Sequence, residues 1–397
     1  MAPIRVALIG LSASAKVNWA EQAHLPYLQS ARGKSHYELV ALLNSSVQAA
    51  EAARSHFNLP ATVKTYGNPD DLARDPDIDL VVCNTRVDTH VPTTAPSLRA
   101  GKAVFIEWPL AENYAAAQAL TENKRIDASI IGLQGRVSPI ALKLKEVLRS
   151  SRIGRVLSSE VRTFANLGRR DSVSESVSYF AERRVGGNHV TIALAHTIDY
   201  VHDVLGEFAS FQSRMQLQRP VLKLRGRDGV TTDREIRSDV PDFVAIHGKL
   251  ARGGGGRGVD IAENATLSVT FRSGQEFKGT PGFVWTINGE KGEIMVTANG
   301  AYIHADSYRD PVDITLHDHA TDEVVPIEWD WEEWQKELPR RSRIVAELYE
   351  RFAHWWEGGA PEGELPWEKE WPRLHDAVTR MKQFDELFRQ YDAQDDA

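Results

Sequence analysis

The order of its apolar runs constrains this chain most. Ile4–Ile9, Tyr37–Leu43, Asp79–Thr85, Ala103–Glu107 and Ser129–Leu133 are short and almost continuously apolar. That is how strands buried on both faces read. Helical spacing lies between them, in Ala15–Ser30 (with Pro26 as a break late in it), Ser46–Asn58, Pro92–Ala100 and Asn113–Asn123. Gly101 follows the third of these, the expected stop. Strand and helix in strict alternation predict a doubly wound parallel sheet with right-handed crossovers.

A further helix pattern covers Pro139–Ser150, and after Gly154 the pattern changes. Strand-like runs now follow one another: Val156–Thr163, Phe211–Leu217, Phe243–Leu250, Ala265–Phe271, Gly282–Ile287, Glu293–Thr297, Ala301–His304 and Val312–Leu316. Several alternate apolar and polar residues, which predicts a large open, mostly antiparallel sheet with one covered face. The helix pattern His189–Leu205 can supply the cover. Arg252–Gly258 reads as a flexible glycine-rich loop whose arginines are solvated. Arg341–Trp356 and Trp371–Tyr391 are helical again, and the tryptophans around them (Trp329, Trp331, Trp334, Trp355, Trp356, Trp367, Trp371) read as packing. The expected fold is α/β followed by α+β, with domains at 1–136 and 137–397 and helices 341–391 packing back on the first.

Composition adds exclusions. A single cysteine, Cys83, forbids an intrachain disulfide or a multi-cysteine zinc site. A net charge of −8 argues against general nucleic-acid binding. No run reaches the ~18 apolar residues of a membrane span, and the first strand begins too early for a signal peptide. The expectation is a cytoplasmic protein with no metal, membrane or nucleic-acid partner.

Gly10-Leu11-Ser12-Ala13-Ser14-Ala15 joins the first strand to the first helix. It spells G-x-S-x-x-A where the dinucleotide fingerprint is G-x-G-x-x-G/A. Gly10 makes the tight turn, Ala15 permits close helix–strand packing, and Ser12 replaces the glycine over which the pyrophosphate passes while offering a hydroxyl. Leu11 and Ala13 complete the expected phosphate loop. The second strand ends Leu43-Asn44-Ser45-Ser46, without the acid that would hold a ribose 2′-hydroxyl. Nothing there repels a 2′-phosphate, so NADP is tolerated or preferred over NAD.

The segments Gly10–Ala15, Val81–His90, Ala100–Leu110 and Gly186–Asp199 resemble the glucose–fructose oxidoreductase/inositol dehydrogenase (Gfo/Idh/MocA) family. Glu107-Trp108, Leu133–Pro139 and His196–Asp199 are similar to the branch that holds the fungal galactose-pathway repressors. The resemblance implies a Rossmann domain, a second domain on an open sheet that mediates dimers or larger homo-oligomers, and a nicotinamide coenzyme between them. It places Asn84, Thr85, His90, Glu107, Trp108, Pro109 and Arg136 around that coenzyme. The family's Glu-Lys-Pro motif reads Glu107-Trp108-Pro109 here, and its aspartate, four residues before the histidine His196, is Ile192. The ammonium and the carboxylate that tune proton transfer are therefore missing.

His196 is the foremost acid–base candidate, because histidine titrates near neutrality. His189, two turns earlier on the expected helix, and Tyr179 are the others. Two readings follow. In one, the chain is an NAD(P)-dependent oxidoreductase moving hydride to or from a small-molecule hydroxyl, carbonyl or conjugated substrate. In the other it is a non-catalytic NAD(P)-sensing transcriptional regulator, nuclear as well as cytoplasmic, that grips an activator-protein peptide.

Overall fold

The structure is a computed structural model that describes residues 2–14, 18–122, 126–165, 169–252, 258–309 and 311–394. The chain divides into two units, Met1–Gln134 with Glu332–Lys382, and Gly135–Trp331 with Gln383–Ala397.

The first unit is built on six parallel strands: β1 (Ile4–Ile9), β2 (Tyr37–Leu43), β3 (Lys64–Tyr66), β4 (Leu80–Cys83), β5 (Ala103–Ile106) and β6 (Ser129–Ile131). Their order is β3-β2-β1-β4-β5-β6, the Rossmann order with its switch point between β1 and β4. Every residue of β4, β5 and β6 is buried. This explains their unbroken apolar reading, and Cys83 is one of these core residues. Side-chain caps start the crossover helices: Ser46 accepts from the Ala49 N–H before Val47–His56, and Asn113 from the Ala116 N–H before Tyr114–Thr121.

Pro26 does not break the first helix. A wide π turn, Ala20–His24, leads into the α-helix Leu25–Gln29, and Pro26 sits in the first turn of that α-helix, where its missing N–H costs no bond. Helix Arg340–Glu357 packs on these turns. Tyr27 stacks on Tyr349 with ring centroids 5.3 Å apart, and the Tyr37 hydroxyl donates to the Tyr349 carbonyl at 2.7 Å. The Trp371 indole donates to the Ser129 carbonyl at 2.8 Å, tying the C-terminal segment to β6.

The second unit carries β7 (Val156–Ala165), β8 (Ser172–Ser174), β9 (Phe208–Gln216), β10 (Val221–Arg225), β11 (Thr231–Arg237), β12 (Phe243–Leu250), β13 (Ile261–Ser273), β14 (Phe283–Gly289), β15 (Gly292–Ala298), β16 (Asp313–Asp318) and β17 (Glu323–Pro326). Eight of these form one sheet in the order β17-β16-β15-β14-β7-β13-β12-β9. All its pairs are antiparallel except β7 with β13. The remaining three form a small sheet, β11-β10-β8. One face of the large sheet is apolar, with Phe283, Trp285 and Ile287 of β14 beside Ile294 and Val296 of β15. Helix Ala195–Leu205, buried along its whole length, covers it, and Tyr200 lies 6.1 Å from the Trp285 ring.

Ala301–His304 is not a strand. The Tyr302 carbonyl accepts from the amides of Ala305, Asp306 and Ser307 in overlapping turns. Ala301, Ile303 and His304 are all buried, without the alternation a one-faced strand requires. Arg252–Gly258 lies largely outside the described residues, as does the Ala15 position of the phosphate turn. Among the described residues, no helix is long and apolar enough to cross a membrane.

Candidate functional site

The site in the first unit is assembled at the carboxyl ends of the parallel strands, where ligands of such sheets bind. Gly10 ends β1 with φ +90° and donates its N–H to the Leu43 carbonyl at 3.1 Å. A Cβ there would stand 2.9 Å from the Asn84 carbonyl oxygen and 3.0 Å from the Thr85 methyl. Only glycine fits, on both conformational and spatial grounds. Leu11 is fully buried and anchors the loop, while Ala13 and Ser14 are exposed at its tip. The Ser12 hydroxyl accepts from the Ser14 N–H at 3.2 Å, and the Ser12 carbonyl accepts from the Asn18 side chain at 2.9 Å. Ser12 therefore shapes the loop as a small turn.

The end of β2 supports this loop. The Asn44 amide donates to the Leu11 carbonyl at 2.8 Å. Ser45 is exposed, and Ser46 caps helix Val47–His56. Two hydroxyls thus stand at the N-terminus of a ten-residue helix, a favourable place for an anion. After β4, both polar atoms of the Asn84 side chain are buried and find no partner among the described residues. An amide left in that state costs about 1–3 kcal/mol unless a ligand completes it. Thr85 follows, half-buried, with its hydroxyl 3.4 Å from the Cys83 sulfur.

His90 reaches two backbone carbonyls, Pro109 at 2.8 Å from Nδ1 and Thr85 at 2.9 Å from Nε2. Burial outweighs the pull of the two carbonyls and lowers its pKa below the usual histidine value. The neutral ring pins Trp108-Pro109, joined by a cis peptide bond, against the β4 loop. Trp108 is itself buried.

Glu107 is held by residues the sequence did not reveal. Its Oε1 lies 2.8 Å from His24 Nε2, and His24 Nδ1 lies 2.8 Å from the Tyr349 hydroxyl. The consistent tautomer has Nε2–H donating to the carboxylate and Nδ1 accepting from tyrosine. Gly132 gives Glu107 its room, because a Cβ there would lie 2.5 Å from Oε2. His24 is 83 residues from Glu107 and Tyr349 is 325 from His24, so no spacing signal could expose them.

In the second unit, Arg136 makes a bidentate pair with Asp199, Nε to Oδ2 at 2.8 Å and Nη2 to Oδ1 at 2.7 Å. Asp203 lies 3.9 Å from Arg136 Nη1 and also pairs with Lys145, which makes a buried quartet of two cations and two anions. His189 and His196 do not share a helix face. A π turn, Val190–Leu194, intervenes and shifts the register by one residue. His189 Nε2 meets the Pro241 carbonyl at 2.8 Å, and its ring stacks over Phe271. Burial lowers its pKa. His196 stacks instead on His304, with centroids 3.9 Å apart and planes 11° from parallel. Burial, aided by the neighbouring His304, drives the His196 pKa well below the usual value. Its Nδ1 is buried without a hydrogen-bond partner among the described residues. Tyr179 lies on the 3₁₀ segment Glu175–Ala181, edge-on to Phe180. Ile192 occupies the π turn itself.

Residues 4–131 match the oxidoreductase family with an NAD-binding Rossmann fold, and residues 139–298 match the Gal80p C-terminal domain. The chain is 33% identical to dehydrogenase aclE of Aspergillus oryzae over 305 residues, covering 76% of this chain and 79% of that protein. It is 26% identical to the galactose/lactose metabolism regulatory protein GAL80 of Saccharomyces cerevisiae over 311 residues, 76% of this chain and 68% of that one. A crystal structure of a super-repressor mutant of Gal80p from Saccharomyces cerevisiae superposes with a TM-score of 0.83 at 21% identity, covering 98% of this chain and 96% of that one. Levoglucosan dehydrogenase in complex with NADH and L-sorbose superposes with a TM-score of 0.71 at 16% identity, covering 98% and 96%.

Proposed function

The chain belongs to the Gfo/Idh/MocA family of NAD-binding oxidoreductases, with a C-terminal domain of the Gal80p type, and from that premise we propose that it is an NAD(P)-dependent dehydrogenase of a small hydroxylated metabolite. The observation that carries this reading is the retained coenzyme cradle. Gly10 lets the turn lie against Asn84 and Thr85 where a Cβ would clash, and the Asn84 side-chain amide is buried without a partner among the described residues. The close turn and the unmet hydrogen-bonding capacity both fit a dinucleotide.

The loop Leu11–Ala13 offers backbone N–H groups to the pyrophosphate, the Gly10 N–H being spent on the Leu43 carbonyl. Ser45 and Ser46, at their helix N-terminus, favour NADP, because no carboxylate stands there to repel a 2′-phosphate. The Asn84 amide and Thr85 hydroxyl bind the coenzyme beyond the turn. Glu107, fixed by His24, and the Trp108-Pro109 segment, fixed by His90, form the wall beside the nicotinamide. The bound coenzyme supplies the hydride acceptor. His196 is the group in this chain that takes the hydroxyl proton. Its imidazole is neutral at neutral pH, because burial holds its pKa low, and Nδ1 is free to accept. Tyr179 and His189 are the alternative proton carriers.

The test is NADP titration into the purified chain, followed by a panel of hydroxylated and carbonyl metabolites read by nicotinamide absorbance. Turnover that His196→Ala abolishes and Trp108→Ala spares supports the assignment. Coenzyme binding without turnover, together with retention of an acidic activator peptide, would instead establish the regulator reading. That reading is favoured by Trp108 and Ile192 standing where the family motifs place lysine and aspartate.

A further inference from the structure

The Glu107–His24–Tyr349 relay and the buried quartet around Arg136 already have structural explanations. One titratable cluster in the first unit does not. His36 ends helix Ala31–His36, while Glu350 and His354 lie four residues apart on helix Arg340–Glu357. An i, i+4 pair shares one helix face, the spacing by which helices present two ligands to one ion. One ligand atom from each of the three side chains lies within 4.8 Å of the other two.

We propose that His36, Glu350 and His354 bind a divalent transition-metal ion, Zn²⁺ by preference, with solvent completing a tetrahedral site. Three further observations converge on it. First, His36 Nδ1 lies 2.7 Å from Glu357 Oε1, so the ring donates there and Nε2 keeps a lone pair for a ligand. A carboxylate behind an imidazole is the usual support for a metal-binding histidine, fixing its tautomer and raising its basicity. Second, that Nε2 faces Glu350 Oε2 at 3.9 Å, too far for a hydrogen bond. Two ligands on a tetrahedral Zn²⁺ at about 2.0–2.1 Å stand roughly 3.4 Å apart, so this separation is close to what one shared ion needs. A small rotation of either side chain closes the difference. Third, the rings of His36 and His354 are edge to face, 81° between planes with centroids 5.6 Å apart. That arrangement lets two in-plane lone pairs converge. The His196–His304 stack, with rings face to face, does not.

Glu350 is shared. Tyr27 and the Arg32 guanidinium also bond its oxygens, Arg32 through Nε at 2.8 Å and Nη2 at 3.0 Å. The guanidinium competes with the ion for the carboxylate charge. It is partly solvent-exposed, which lowers the cost of displacing it, although its place over the Trp334 ring, 4.5 Å from the ring centre, holds it there. Hence the affinity is set by a contest between Arg32 and the metal. The expectation of no metal rested on the single cysteine, which says nothing of a histidine–carboxylate site whose two halves are over 300 residues apart.

The test uses the full chain, tag-free and stripped with chelator, titrated with Zn²⁺ against a chromophoric competitor and with Co²⁺ for its tetrahedral visible absorption. The expected result is one Zn²⁺ per chain. His36→Ala and His354→Ala should each lower the affinity at least tenfold, and Glu357→Gln about 10–100-fold. Arg32→Gln should tighten it, a gain that mere misfolding cannot produce. Circular dichroism confirms that each variant is folded. A stoichiometric site that survives the His36→Ala/His354→Ala double substitution would overturn the proposal, as would the absence of any site in the parent and in Arg32→Gln.

Discussion

Arg136 offers a sharp test, because its family position and its observed contacts point to different roles. By resemblance it lines the coenzyme site. In the structure its guanidinium holds Asp199 through two short bonds, with only 8% of its own side chain and 1% of the aspartate exposed. Arg136→Met would strand a carboxylate in the interior. Breaking a buried pair from one side costs about 3–5 kcal/mol, most of it the uncompensated charge. A unit of this size loses roughly 2–4 °C per kcal/mol, so the second unit should melt about 6–20 °C lower. Asp199→Asn should cost a similar amount, and Arg136→Lys about 1.5–3 kcal/mol, since the charge remains but one of two charged hydrogen bonds is lost. The double variant Arg136→Met/Asp199→Leu should recover most of the stability. It removes one cation and one anion, and Lys145 still balances Asp203. Calorimetry measures the melting and nicotinamide fluorescence the coenzyme affinity. Arg136→Met melting within 2 °C or so of the parent while losing tenfold in coenzyme affinity would refute the reasoning, and the guanidinium would then be a coenzyme ligand.

Other consequences can be checked directly. Gly10→Ala forces a side chain into φ +90° and to 2.9 Å from the Asn84 carbonyl, a strain of about 1–3 kcal/mol. Coenzyme affinity, measured by fluorescence titration, should fall at least tenfold. Ser46→Asp keeps a good helix cap but sets a carboxylate where the 2′-phosphate would sit, so the NADPH/NADH affinity ratio should drop tenfold or more, whereas an unchanged ratio would remove Ser46 from the ribose site. Burial lowers the folded-state pKa of His90, His189 and His196 below the unfolded value near 6.5. Below that pH the unfolded chain binds more protons than the folded one, so stability is full above about 6.5 and falls on acidification, by up to about 1.4 kcal/mol per pH unit for each histidine. Denaturant midpoints measured at pH values on either side of 6.5 should show this slope, and His196→Gln should flatten it.

The parts of the molecule legible in the sequence were those that local pattern encodes. β4 and β5 are buried on both faces, so their apolar runs stood out, and the Gly10 turn declared itself by lying between strand and helix. Short strands β8, β10, β11 and β17 did not. Thr231–Arg237 reads Thr-Thr-Asp-Arg-Glu-Ile-Arg and is mostly exposed, so no buried face imposes alternation on it. The Gly10 turn was readable for the same local reason, and the side chains that brace it and Glu107 were not. Asn18, Asn44, His24 and Tyr349 act through hydrogen bonds that only the folded backbone brings together. His304 was hidden because the segment holding it looked like a strand, whereas it turns back and stacks the ring on His196.

Those braces bear on whether the site still works. A vestigial site would have no reason to keep Glu107 almost wholly buried, since an unpaired interior carboxylate is costly. Here His24 meets that cost at 2.8 Å from the carboxylate, its own ring held by the Tyr349 hydroxyl at 2.8 Å, where the family motif has a lysine and this chain has Trp108. This keeps Glu107 in place at the carboxyl end of β5, as both the enzyme and the nucleotide-sensing readings require. His196 separates the two. Helix packing alone would be served by leucine at this position. Instead the chain buries an imidazole whose Nδ1 has no partner among the described residues, a deficit of about 1–3 kcal/mol until a donor arrives. On the dehydrogenase reading a substrate hydroxyl is that donor, and because burial makes His196 a weak base its first role there is to hold the hydroxyl by a hydrogen bond; the His196→Ala turnover test distinguishes the two readings.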